Sequence, residues 1–83
     1  MPLYLDTHHK VPGLTKEAVA QAHAADIAHQ GKHGVNYVRY WYDEATGKVF
    51  CLVEAPSAEE AIAVHREAHG LLADEITEVK EGA

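Results

Sequence analysis

The sequence has almost no cysteine. Cys51 stands alone among 83 residues, so no internal disulfide can form and no Cys–His finger spacing exists. Basic residues are scarce too: seven Lys and Arg against thirteen Asp and Glu give a formal net charge of −6. That sign opposes a phosphate-binding surface, and Arg39 and Arg66 are far apart in the chain. Nucleic acid and an anionic membrane surface are therefore not expected as partners. No apolar run approaches the ~20 residues a membrane span needs. The start, Met1-Pro2-Leu3-Tyr4-Leu5-Asp6, lacks the basic segment and apolar run of a signal peptide. A cytoplasmic location, where Cys51 stays reduced, is the expectation. Missing also are a Gly-rich phosphate loop, a nucleophile elbow and a dinucleotide fingerprint.

What the chain does have is a hydrophobic fraction of 47%, enough for a packed core, and a length that suits one domain over residues 1–83. Residues 3–8 alternate, with Leu3, Leu5 and Thr7 on one side and Tyr4, Asp6 and His8 on the other, as in a strand. Val11-Pro12-Gly13 breaks it. Thr15 suits a helix N-cap, with Glu17 in the first turn, and a helix runs to about residue 30 with Val19, His23 and Ile27 inward, Ala20 and Ala22 beside them. Gly31 and Gly34 stop it. Residues 35–42, Val-Asn-Tyr-Val-Arg-Tyr-Trp-Tyr, form a second strand, and residues 49–54 return after a hairpin loop ending at Gly47. Ser57 and Glu60 make a capping box for a helix over residues 58–69. Its inward stripe is Ala61, Ile62, His65, Ala68, His69 and Leu72, and Gly70 ends it. A last strand covers residues 75–80. The order βαββαβ with right-handed crossovers predicts an α+β ferredoxin-like fold: one antiparallel sheet with both helices on one face.

The other sheet face is then bare. It is expected to carry Tyr37, Arg39 and Trp41 with Phe50, Leu52 and Glu54. So many apolar groups in one exposed patch call for a cover. A second copy related by a twofold axis supplies one, so a homodimer through the open sheet face is expected; a ligand cleft is the other use for such a face.

Histidine is the unusual component, seven residues in 83. His65 and His69 are spaced i, i+4, which sets two imidazoles one turn apart on one helix face, where they can hold one divalent ion. The intervening Arg66-Glu67-Ala68 is not a metalloprotease pattern, and His65 could equally be a hydrogen-bonded core residue. His29 and His33 form a second such pair across Gly31, readable also as a solubilising helix end. Asp6 and His8 share one side of the first strand, followed by His9. Cys51, mid-strand between Phe50 and Leu52, reads as a small core residue or, beside His65, as a soft thiolate ligand. His23 reads as core. No Asp or Glu pair stands out as an acid–base couple.

Residues 40–44 (Tyr-Trp-Tyr-Asp-Glu), 47–56 (Gly-Lys-Val-Phe-Cys-Leu-Val-Glu-Ala-Pro) and 65–70 (His-Arg-Glu-Ala-His-Gly), together with Asp6, His8 and His9, resemble the small actinobacterial nickel-binding proteins of ferredoxin-like fold. The resemblance covers nearly the whole chain. It implies a dimer that binds nickel, with a role in sequestration or detoxification, and it points to Cys51, Glu54 and His65 as the residues the broader family keeps. The residues themselves offer as candidate metal ligands His65, His69, His8, His9, Asp6, Cys51, His29 and His33, with the site either inside at Cys51 and His65 or outside on the peripheral histidines. Ni²⁺ is favoured through the resemblance; Zn²⁺ and Cu²⁺ suit imidazole as well. Because ligating histidines must be neutral, binding is expected to weaken below pH ~6. The alternative is a small dimeric α+β-barrel enzyme or organic-ligand domain with a pocket of Cys51, His65, Glu54 and Tyr40.

Overall fold

The computed structural model describes residues 1–82. Strands β1 (Leu3–His8), β2 (Asn36–Asp43), β3 (Lys48–Glu54) and β4 (Glu75–Val79) and helices α1 (Lys16–Gln30) and α2 (Ala58–Ala68) follow one another as βαββαβ. A single 3₁₀ turn, Gly31–His33, extends α1. The sheet order is β2-β3-β1-β4, with every neighbouring pair antiparallel. This is the ferredoxin-like arrangement.

Local chemistry explains the boundaries. The Thr15 hydroxyl accepts from the Ala18 N–H at 3.1 Å, and the Ser57 hydroxyl accepts from the Glu60 N–H at 3.3 Å, so each helix begins at a satisfied N-cap. Gly34, at φ 65°, takes the left-handed turn that sends the chain from α1 into β2.

The core lies between the sheet and the helices: Val19 from α1, Val35 and Tyr37 at the start of β2, Val49, Cys51 and Val53 from β3, then Ala55, Ala61 and Val64. Three expectations about facing fail. Tyr37 belongs to this inner core, only 2% exposed, and not to the open face. The register runs Tyr37↔Val53 and then Arg39↔Leu52, so Val38 is an extra residue, a β-bulge. The bulge shifts the alternation by one, turning Tyr37 inward while Arg39 and Trp41 stay outward. Ile27 and Leu72, both expected inside, are each 45% exposed. The inner stripe of α1 instead holds Val19, Ala22, His23 and Asp26.

Candidate metal centre

Asp6 and His8 lie two apart on β1 and so face the same way, toward the helices. Register pairs Asp6 with Cys51 on β3, which sets the carboxylate beside the thiol. Helix α2 lays His65 over both. The His69 and Gly70 N–H groups both donate to the His65 carbonyl, at 3.1 and 2.8 Å, and Gly70 at φ 76° turns the chain away directly afterwards.

The result is one buried cluster from three elements. Asp6, His8, Cys51 and His65 each offer a ligand atom, and these atoms lie within 4.8 Å of one another. His65 Nε2 is 2.9 Å from Asp6 Oδ2, and His8 Nε2 is 3.5 Å from Asp6 Oδ1. Neither contact is a well-aligned hydrogen bond: Asp6 Oδ1 and His65 Nε2 are both buried without a hydrogen-bond partner. Two orphaned polar atoms facing one small space is the pattern a bound cation resolves. The donor set of one thiol, two imidazoles and one carboxylate suits nickel, zinc or copper, and four protein ligands make a closed site.

A second carboxylate backs His65. Asp26 of α1, 2% exposed, accepts from His65 Nδ1 at 2.8 Å. Its Oδ1 also meets His69 Nε2 at 3.1 Å. His69 Nδ1 accepts from the Leu71 N–H at 3.0 Å, so the ring proton belongs on Nε2, the nitrogen beside the Asp26 carboxylate. Both His69 nitrogens are thereby engaged, and the residue braces the cluster from outside. Asp26, His65 and His69 do form a second ligand-type group, but it draws on the opposite ring nitrogen of His65. A carboxylate behind a histidine is the arrangement that orients metal-bound imidazoles.

The charges follow from this packing. Burial alone would depress His65, yet the hydrogen bond to Asp26 and the close Asp6 carboxylate, with their negative charges, raise it to about 9. Burial alone would raise Asp6, but its histidine partners, His65 foremost, take it down to about 2. Asp26 is lowered in the same way against its own burial, by His65 and His69. Burial and then the Asp6 charge push the Cys51 thiol up; a cation in the cluster would reverse that.

The remaining expected ligands lie elsewhere. His9 is exposed and pairs with Glu75 at 2.9 Å. His29 and His33 share no site: His29 Nδ1 bonds the Ala25 carbonyl at 2.9 Å. His33, half-buried rather than exposed, bridges Glu60 and Glu67 of α2, both at 2.8 Å. Glu54 points to the opposite sheet face from Cys51 and bonds Asn36 at 2.9 Å, which removes it from any pocket with His65. Asp26 was missed. The available signal was an acid seven residues after Val19, on the inward stripe of an alanine-rich helix.

Fold and cluster together define a small ferredoxin-like α+β protein with a buried set of metal-ligand side chains. The family model described as nickel responsive protein SCO4226-like matches residues 4–79, and the chain belongs to that family. The crystal structure of SCO4226 from Streptomyces coelicolor A3(2) is 41% identical, with a TM-score of 0.90, and the match covers 98% of this chain and 99% of that one. No curated protein matches the chain.

Proposed function

We propose that the protein binds a divalent transition metal, nickel in its physiological setting, and that the ion is held by Asp6, His8, Cys51 and His65. The observation that carries this reading is the convergence of four buried ligand side chains, two of whose polar atoms have no other partner. Membership of a nickel responsive family supports nickel over the zinc and copper that the same donors accept. A closed, buried site with no free coordination position fits sequestration or detoxification better than catalysis at the metal. The acidic balance of the chain and its single thiol suit a reducing cytoplasm. The open sheet face suits a homodimer.

Calorimetric titration of metal-free protein with Ni²⁺, followed by near-ultraviolet absorption, tests the site. The expected result is one tight ion per chain with a thiolate-to-nickel charge-transfer band. Cys51→Ser abolishes the band and His65→Gln lowers affinity at least 10-fold, whereas replacing His9, His29 and His33 by Ala changes neither. Tight binding that survives Cys51→Ser and His65→Gln but disappears with the three peripheral histidines would move the site to the surface.

A further inference from the structure

Beside the cluster, between the β1–α1 loop, the inner face of α1 and the sheet, lies a cavity of about 150 Å³. Its walls include Val11, Leu14, Val19, Ala22 and Val49, and His23, Asp26 and Cys51 also line it. Pro12, Ala18 and Leu71 are exposed and line the cavity at its rim.

A metal store needs no such chamber. Protein interiors close-pack, and the voids that remain are few and near the size of a water molecule. Water could bond the polar groups along one side, but the Val, Leu and Ala walls offer it no hydrogen-bond partner. An apolar cavity of about 150 Å³ is large enough to take up benzene. A charged ligand would shed its hydration against Val and Leu walls, and an anion would also face the buried Asp26. Two lining residues have a polar atom with no hydrogen-bond partner: His65 Nε2, which faces the ligand cluster, and His23 Nδ1 outside that cluster, whose ring lies against Tyr40 with centroids 4.6 Å apart.

We propose that this cavity is a binding site for a small uncharged organic molecule, an apolar ring carrying one O–H or N–H group that His23 receives. The cavity adjoins the proposed metal site, since His8, Cys51 and His65 also line it; the ligand's own anchors are the apolar walls and His23, which lie outside the set Asp6, His8, Cys51 and His65.

The test is a nuclear magnetic resonance titration of the full chain, metal-free and nickel-loaded, with benzene and with phenol. Both probes are expected to shift resonances of Leu14, Val19 and Val49, with half-saturation below about 1 mM, well within reach of six or seven ligand atoms. Phenol should bind roughly 2–10-fold tighter than benzene, the worth of one neutral hydrogen bond. His23→Phe should erase that difference and leave benzene binding in place. Two filling variants, Ala22→Leu on the wall and Ala18→Leu at the exposed rim, should block both probes. Nickel uptake is the control, and it should survive in Ala18→Leu even if Ala22→Leu folds poorly. Failure of both probes to saturate these resonances, or shifts that persist in Ala18→Leu, would overturn the proposal whether or not nickel binds.

Discussion

At the scale of single residues the informative one is His65. It is a cation caught between two buried carboxylates, and its ordinary value of 6.5 is raised to about 9. A group whose folded value is raised contributes stability fully below its unfolded value, and that contribution is lost as pH rises through the folded one. The metal-free protein should therefore lose stability between pH 6.5 and about 9, by an amount on the order of 3 kcal/mol. For a chain this short that is roughly 10–20 °C in melting temperature. Asp6, lowered from 3.8 to about 2, gives the mirror limb: its contribution is present above pH 3.8 and lost as pH falls through 2. The two limbs report the same Asp6–His65 contact and are not added together. Melting curves across pH should show the alkaline decline in the native chain and its absence in His65→Gln. Asp26→Asn, which removes one of the two flanking charges, should move the decline to lower pH. Nickel reverses the picture, because a ligating nitrogen must give up its proton. Affinity should then rise by up to about tenfold per pH unit for each proton displaced, and keep rising toward pH 9. The onset at pH ~6 that unperturbed histidines predict is shifted upward by the two aspartates.

At the scale of elements, the order and ends of helices and strands were legible because capping and alternation are local. Thr15, Ser57 and Gly70 act within a few residues of themselves, and each does in the structure what its position implies. That Asp6 and His8 share one side of β1, and that His65 lies on the inward stripe of α2, was legible for the same reason, since strand and helix periods set it. What could not be read is what depends on partners across the fold. The Val38 bulge is a mismatch between two strands, so β2 alone gives no sign that Tyr37 turns inward. Helix α1 carries alanines on every side and so offers little apolar contrast; Asp26 is buried only because α2 presents His65 and His69 to it. The bulge matters for that assembly. Turned inward, Tyr37 stacks on His65 with centroids 4.7 Å apart and donates its hydroxyl to the Ala61 carbonyl of α2 at 3.0 Å. It thereby joins β2 to the helix that carries the cluster. Tyr37→Phe keeps the ring and removes that bond, so it should cost about 1 kcal/mol of stability, read by urea denaturation, while nickel affinity changes little. A large loss of affinity would mean that the hydroxyl, which also lies 3.5 Å from Asp6 Oδ2, positions the carboxylate.

At the scale of the whole molecule, both helices and the entire cluster lie on one side of the sheet. The opposite side gathers Leu3 and Leu5 from β1, Trp41 from β2, Phe50 and Leu52 from β3, and Val79 from β4, as the register of the three strand pairs requires. Trp41 is 49% exposed there, and Val38, thrown out by the bulge, is 40% exposed. Burying such a patch against its own twofold image gives a small domain apolar burial that its single core lacks. Sedimentation equilibrium should therefore find a dimer, and Trp41→Lys, which places a charge opposite Phe50, should shift it to monomer at micromolar concentration. Nickel titration of that variant then separates two architectures. The ligand cluster faces the helices, and every residue in it comes from one chain, so the monomeric variant should keep the native affinity. A fall in affinity that tracks dissociation would mean that the partner's presence holds the sheet in the curvature that brings Asp6 and Cys51 under His65, coupling metal uptake to assembly.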